Sequence, residues 1–142
     1  MSVKSVQFSV AAHILAALGF HDGEEVSSKT LAGSVNADPT FVRKSLSKLS
    51  KAGLVITKRG KSGSATLARA PRKITLLDVY RASGAPRVLA IHSYRAEPRC
   101  PVSTSVKPCL ANLLSQAQNS FEKSLAKITV ANLVRDIQQR KR

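Results

Sequence analysis

The segment 37–55 constrains the fold more than any other part of the chain, because it carries the signals for both ends of a helix. Asp38 can accept hydrogen bonds from the free amides of a helix start, Pro39 suits the first helical position, and Gly53 suits a helix end. Between these signals one face is apolar, at Val42, Leu46 and Leu49. The opposite face carries cations and no acid: Thr40, Arg43, Lys44, Ser47, Lys48 and Lys51. The pattern predicts a helix of about four turns that buries one face and offers a basic face to a partner.

The residues before this segment supply the other half of a helix-turn-helix. Ser27 can cap a second helix over about 28–35, and the turn at 36–38 is short. Two helices joined by a tight turn, of which the second is basic, form this motif. Upstream of it, an apolar stripe predicts a first helix from about Ser5 to Leu18 that ends at Gly19. A basic helix taken alone is more often a solvated surface helix, but this context favours one that enters the DNA major groove.

Two β-rich runs follow the basic helix, at 54–58 and 65–68. The residues between them include glycines, which tolerate positive φ, and two cations at the tip, Arg59 and Lys61. A hairpin directly after a helix-turn-helix predicts a wing, whose cations can enter a narrow minor groove. An ordinary solvated hairpin loop is the alternative.

The charge balance indicates a polyanion as the partner. Lys and Arg number 23 against 8 Asp and Glu, so the formal net charge is +15. Such a charge opposes compact folding by self-repulsion, and duplex DNA is the first candidate to neutralise it. A basic RNA- or ribosome-binding winged-helix protein is the alternative. Proteins that bind single-stranded RNA expose aromatic side chains for base stacking, whereas this chain has only four Phe and two Tyr.

Other functional classes find little support in the sequence. No run reaches the roughly 18 apolar residues of a membrane span, and polar residues interrupt the apolar N-terminal segment, so we expect a cytoplasmic protein without a membrane partner. Phosphate-loop and dinucleotide glycine motifs are absent, and the two cysteines and three histidines lack the spacing of a zinc site. No acidic pair is placed for acid–base chemistry, so we expect neither an enzyme nor a metal site.

The second half of the chain alternates between helical and irregular patterns. Thr75 and Asp78 fit a capping box, which predicts a helix that ends near Ser83. The segment 84–108 holds four prolines and is predicted as a loop with a possible sensor role. From Cys109 onward, apolar residues return at near-heptad spacing and predict a long helix. Its apolar seam is predicted as a dimer interface, unless it packs on its own domain: Leu110, Leu114, Ala117, Phe121 and Leu125.

These patterns together predict a mainly α fold with a small β-hairpin wing. We expect a winged helix-turn-helix DNA-binding domain at 1–82, a loop at 83–108 and a helical dimerisation region at 109–142. Phosphate contacts are expected from the amide end of the second helix near Ser28 and from the cations Lys48, Lys51 and Lys61.

The chain also resembles the Rrf family of bacterial winged-helix regulators, in the group numbered two. The residues that carry the resemblance follow the family's order along nearly the whole chain: Phe8-Ser9-Val10-Ala11, Val42-Arg43, Lys51-Ala52-Gly53-Leu54-Val55, Arg59-Gly60, Leu67-Ala68-Arg69, Ile74-Thr75-Leu76 and Ile128-Thr129-Val130. The resemblance implies a transcriptional regulator, expected to be a repressor, that binds a pseudo-palindromic operator as a homodimer. It also implies base contacts at Thr40, Arg43 and Lys44, and a wing contact at Arg59.

The cysteines depart from part of the family's pattern. Members that bind an iron–sulfur cluster carry three cysteines before the long helix, whereas this chain has two, Cys100 and Cys109. It therefore resembles the cluster-free members, and no cluster or other cofactor is expected. Nearby cations and a helix start predicted at Cys109 favour thiolates, so both cysteines are predicted as thiol-oxidation sensors. Oxidation could give a sulfenic acid, a Cys100–Cys109 disulfide or a disulfide across the dimer, and inert thiols with a small ligand as the signal are the alternative.

Overall fold

The structure is a computed structural model that describes residues 6–60 and 63–140. The helices in these residues are α1 (Gln7–Phe20), α2 (Ser28–Val35), α3 (Pro39–Lys51), α4 (Leu76–Ala82), α5 (Pro101–Leu125) and α6 (Val130–Arg140). The strands are β1 (Val26–Ser27), β2 (Val55–Lys58) and β3 (Ser64–Leu67), which form an antiparallel sheet in the order β1-β3-β2. A short 3-10 helix, Pro71–Lys73, precedes α4. The predicted class, mainly α with a small β-hairpin wing, is confirmed.

The helix-turn-helix forms where its local signals predict it. Ser27 Oγ accepts the Thr30 amide at 3.0 Å at the start of α2. Asp38 Oδ1 accepts the Thr40 amide at 2.7 Å at the start of α3. Gly53 follows α3 at φ 77, the left-handed conformation that glycine adopts at low cost. Hydrogen bonds between residues close in sequence therefore define both helices.

The two helices of the helix-turn-helix, α2 and α3, each bury one face in a common hydrophobic core. The fully buried large side chains come from α1, α2, α3, α4, α6 and the segments beside them: Ile14, Leu15, Leu18, Leu31, Val42, Leu49, Leu54, Ile74, Val79 and Val130. The predicted end of the first helix is wrong, because α1 continues through Gly19 to Phe20. A Cβ at Gly19 would lie 2.9 Å from Val134 Cγ2 of α6. The glycine permits close packing of two helices and does not end one.

The chain forms two compact units, of which one is inserted in the sequence of the other. The first holds the described residues up to Ala85 and those from Leu125 onward, and the second holds Pro86–Ser124. The sequence analysis grouped 109–142 as one helical region, and this grouping is wrong for its last part. α6 belongs to the first unit, where Val130 is buried in the core.

Two Ile-Thr pairs join the starts of α4 and α6. The Leu76 amide donates to the Ile128 carbonyl, and the Val130 amide donates to the Ile74 carbonyl, both at 2.8 Å. Thr75 and Thr129 face each other in the resulting antiparallel bridge. The predicted capping box of Thr75 and Asp78 is present in this bridge. The two similar sequences are therefore paired in space.

The long helix begins earlier than predicted. α5 starts at Pro101 and includes Pro108, so the predicted loop to 108 and the predicted helix start at Cys109 are both wrong. Pro101 suits the first helical position, and the Thr104 amide donates to the Cys100 carbonyl at 3.1 Å as the first helical bond. Pro108 removes one amide donor from the helix without ending it. That proline is one of the four that the predicted loop contained.

Within the second unit, a segment before α5 lies along the helix. The Val88 amide donates to Gln118 Oε1 at 3.0 Å, and Gln118 is buried. The predicted seam remains partly open in the single chain: Leu110, Leu114 and Leu125 are half-buried, and Ala117 and Phe121 are exposed. No helix in the described part of the chain combines the length and apolar character that crossing a membrane requires.

Candidate nucleic-acid interface

A cleft opens between α3 and the wing, which consists of β2, β3 and the residues between them. α3 contributes Arg43, Ser47 and Lys51, which share one side of the helix because they are four residues apart. Five cations line the cleft: Lys29, Arg43, Lys51, Lys58 and Arg59. Among the residues that the structure describes, its lining includes no Asp or Glu. The cleft therefore presents a concentrated positive charge to a ligand.

Thr40 and Arg43 lie together in the first half of α3. Arg43 Nη2 donates to Thr40 Oγ1 at 3.4 Å, one helical turn away. The bond is long, so it orients the guanidinium without immobilising it. The N-terminal residues of a recognition helix are those that reach base edges in a helix-turn-helix. Both side chains lie in that part of α3, Arg43 also lines the cleft, and their base contacts stay a prediction.

Two other predicted cations of α3 line a neighbouring groove. Lys44 and Lys48 lie there with Gln7 and Phe41, and Lys51 borders this groove as well as the cleft. Lys48 Nζ donates to the carbonyl of Ser83, the residue that follows the last turn of α4, at 3.4 Å. A cation there satisfies a carbonyl and meets the negative end of the helix dipole. The structure therefore places Lys48 against the end of α4 and outside the lining of the cleft, and its phosphate contact stays a prediction.

The amide of Ser28 is not free for a phosphate. It donates to the carbonyl of Gly63 at 3.2 Å, and the Thr30 amide donates to Ser27 Oγ. The expected anion site at this helix start is wrong for the Ser28 amide, because the wing already occupies that donor. The Ser28 side chain and its neighbour Lys29 do line the cleft.

An acidic side chain also reaches the wing. Glu25 Oε1 lies 2.5 Å from Lys58 Nζ, and Ser64 Oγ donates to Glu25 Oε2 at 3.3 Å. The hydrogen bond and the charge of Lys58 hold the pKa of Glu25 below its ordinary value of 4.5. The same two interactions raise the pKa of Lys58 above its ordinary value of 10.5. Both groups are therefore charged at neutral pH.

Three residues at this site were not predicted from the sequence. Lys29 and Lys58 line the cleft, and Glu25 pairs with Lys58. Lys58 ends the first predicted β run beside Arg59, so its place next to the wing tip was available as a signal. Glu25 gave none, because it lies 33 positions from its partner. The predicted wing cation Lys61 lies outside the described residues.

One cysteine directly precedes α5, and the other lies within that helix. Cys100 directly precedes α5, is half-buried, and its Sγ accepts the Ser103 amide at 3.4 Å. Cys109 is exposed in the third turn. At 1.5 Å of rise per residue, the two Cα atoms lie about 13 Å apart along the axis, whereas a disulfide requires less than about 7 Å. A Cys100–Cys109 disulfide within one chain is therefore incompatible with the intact helix.

Comparisons with known proteins agree with this geometry. The model of the Rrf2 family, described as iron-dependent transcriptional regulators, matches residues 4–136. The candidate HTH-type transcriptional regulator YwnA of Bacillus subtilis (strain 168) is 35% identical over 121 residues, which cover 84% of this chain and 88% of that protein. A solved structure of a candidate transcriptional regulator from Lactobacillus plantarum is 27% identical, with a TM-score of 0.79, over 94% of this chain and 90% of that one.

A more distant structure shares the fold. The structure of IscR from T. potens superposes with a TM-score of 0.69 at 23% identity, and covers all of this chain and 92% of that one. At this identity the likeness shows the fold alone. The family match extends over nearly the whole chain, includes the helix-turn-helix and the wing, and ends within α6. The chain therefore belongs to the Rrf2 family of transcriptional regulators.

Proposed function

We propose that this protein binds duplex DNA in a sequence-specific manner and represses transcription as a homodimer on a pseudo-palindromic operator. The observation that carries the proposal is the cleft between α3 and the wing, with its five cations and without an acidic residue among its described lining residues. A recognition helix beside a basic wing suits one major groove and the adjacent phosphates. In this proposal the protein is located in the cytoplasm. It acts by binding DNA and catalyses no reaction.

Contacts in the cleft divide between base reading and phosphate binding. Arg43, supported by Thr40, has the donors to bind guanine O6 and N7 in the major groove. Lys44 follows Arg43 on α3 and lines the neighbouring groove, and we include it in the base-reading set because the family resemblance implies it. Lys51 and Lys29 bind phosphates, and Arg59 in the wing reaches the minor groove.

The decisive experiment is selection of bound fragments from the source genome, followed by binding assays on the selected site. Arg43→Ala should lose about 1–3 kcal/mol of discrimination at one base position and leave random-sequence binding nearly unchanged. An unchanged base preference in that variant would contradict the proposed reading role. Structured RNA that outcompetes the selected duplex at equal salt would instead favour the RNA-binding alternative.

The proposed dimer uses the seam of α5. α5 has 25 residues, yet only Gln118 is buried among its described side chains. A helix in a protein is stabilised mainly when its apolar face packs against another surface. The simplest such surface for Ala117 and Phe121 is the same face of α5 in a second copy of the chain. Phe121→Asp should shift the protein from dimer to monomer in analytical ultracentrifugation and weaken operator binding by loss of the second half-site. Half-sites should lie about one helical turn apart, or a multiple of that.

We further propose that the regulator carries no iron–sulfur cluster. Clusters of this kind use four protein ligands, mainly cysteine thiolates. Here the two cysteines lie about 13 Å apart along α5, and no group of three potential metal-binding side chains assembles in the described residues. The absorbance spectrum of protein purified without oxygen tests this directly. Visible bands that disappear on cluster removal would contradict the proposal.

The proposed signal is oxidation of Cys100, in which a peroxide transfers one oxygen to the thiolate and leaves a sulfenic acid and hydroxide. Cys100 is half-buried at the start of α5, so an added oxygen changes the first turn of the helix. Operator affinity should fall with peroxide in wild type and in Cys109→Ser, but not in Cys100→Ser. Equal affinity in all samples would favour a small ligand as the signal. A covalent dimer on a non-reducing gel would identify a disulfide between subunits.

A further inference from the structure

The carboxylate of Glu25 contacts both strands of the wing. Glu25 directly precedes β1, and its two carboxylate oxygens contact Lys58 of β2 and Ser64 of β3. Lys58 and Ser64 are paired across the ladder, at the last register position before the wing tip. One acidic side chain therefore bridges the two strands of the wing next to its tip.

This position is unfavourable for an acid in a protein that binds DNA. Lys58 is one of the five cations that line the cleft, and its side chain is 67% exposed. A carboxylate beside it neutralises that cation and repels an approaching phosphate. Exposed ion pairs add little to the stability of a fold, so stability does not account for the pair.

We propose that Glu25 is a positioning residue that holds Lys58 away from DNA phosphates and so limits sequence-independent affinity. The inference rests on the proposed DNA binding. Each cation that neutralises a phosphate adds to the affinity for any duplex, whatever its sequence. Because Glu25 contacts a wing cation and not Arg43, it lowers binding to operator and random DNA by the same factor.

The pair also explains why the restraint holds at neutral pH. The lowered pKa of Glu25 and the raised pKa of Lys58 keep both groups charged across the physiological range. Among the residues that the structure describes, Lys58 is the charged group that acts on Glu25, and the Ser64 hydroxyl donates a hydrogen bond to it. The restraint therefore acts constantly and is not a pH switch in that range.

The test measures affinity for a random-sequence duplex and for the selected operator as salt rises from about 50 to about 200 mM. Glu25→Gln keeps an amide oxygen that can accept from Ser64 but removes the charge. Glu24→Gln is the matched control, since it removes the same charge one residue earlier, and Glu24 has no ion pair with any residue that the structure describes. Lys58→Ala and the double variant with Glu25→Gln complete a cycle.

Once Glu25 no longer pairs with it, Lys58 is expected to contact one DNA phosphate. The slope of log affinity against log salt concentration should then be steeper by about 0.9 for Glu25→Gln than for Glu24→Gln. Its affinity advantage over that control should shrink about 3.5-fold across this salt range, equally on both DNAs. In the Lys58→Ala background, Glu25→Gln should add nothing beyond the effect of Glu24→Gln. Equal slopes in the two single Glu variants, a changed ratio of operator to random affinity, or an effect that survives Lys58→Ala would overturn the inference.

A measurement without DNA separates this inference from the proposed function. Carbon-13 NMR of the Glu25 carboxyl should show that Lys58→Ala raises its titration midpoint. A midpoint that Lys58→Ala leaves unchanged overturns the pairing even when the protein binds DNA. Wild-type protein without salt-dependent duplex binding overturns the proposed function, and the inference with it.

Discussion

The contrast between Lys48 and Lys51 provides a sharp test of the interface. These side chains carry the same charge on the same helix, less than one turn apart. Lys51 lines the cleft, whereas Lys48 donates to the Ser83 carbonyl at the end of α4. Charge and sequence position alone predict the same effect on DNA binding for Lys48→Ala and Lys51→Ala. The structure predicts different effects.

The expected magnitude follows from counterion release. Each phosphate contact contributes about 0.9 to the slope of log affinity against log salt. Lys51→Ala should therefore flatten the slope by about 0.9, which corresponds to a factor of about 3.5 in affinity between about 50 and about 200 mM salt. Lys48→Ala should leave the slope unchanged. Since the Lys48 bond is long and at the surface, we expect it to cost less than about 1 kcal/mol of unfolding free energy.

Fluorescence anisotropy with one labelled duplex measures both slopes. Circular dichroism of each variant controls for folding, and Lys44→Ala reports on the neighbouring groove. If Lys48→Ala flattens the slope as much as Lys51→Ala does, Lys48 leaves Ser83 when DNA binds. That result would refute the division of α3 into a DNA-facing side and an α4-facing side.

Three further predictions concern stability. Gly53 has a positive φ, so Gly53→Ala should lower the free energy of unfolding in urea by about 1–2 kcal/mol. Gly33 lies within α2, so Gly33→Ala should raise that free energy by about 0.5–1 kcal/mol. A change of the same sign in both variants would contradict this reasoning. Thr129→Val removes the hydroxyl that accepts the Asn132 amide, so we expect a loss of about 1 kcal/mol in thermal unfolding, and an unchanged midpoint would argue against this cap. The stability that Glu25 supplies over Glu25→Gln should be constant at neutral pH and disappear as pH falls through its lowered pKa, because a protonated Glu25 no longer attracts Lys58; a difference that persists in acid would count against the ion pair.

Much of the first unit could be predicted because its signals act over three or four residues. Ser27, Asp38 and Thr75 each accept an amide two or three positions later, and residue type alone reveals such caps. The apolar stripe of α3 likewise predicted that Val42 and Leu49 are buried. These features need no knowledge of the rest of the chain.

The errors arose where a distant partner determines the role of a residue. Glycine at position 19 has the composition of a helix end, but the close approach of Val134 explains it. Pro108 has the character of a helix breaker, but α5 continues through it. In each case the neighbouring residues in sequence suggest one role, and the contacts in the folded chain give the residue another.

The paired Ile-Thr segments show what such packing contributes to the architecture. Because Ile74 and Ile128 each accept an amide from the other segment, the start of α6 is fixed to the start of α4. The Ile128 amide in turn donates to the carbonyl of Leu125, the last residue of α5, at 3.2 Å. Leu125 and Ile128 both belong to the unit that contains α3. Thr129→Val removes the side-chain cap of α6 without touching the cleft, so it separates loss of stability from loss of DNA contacts.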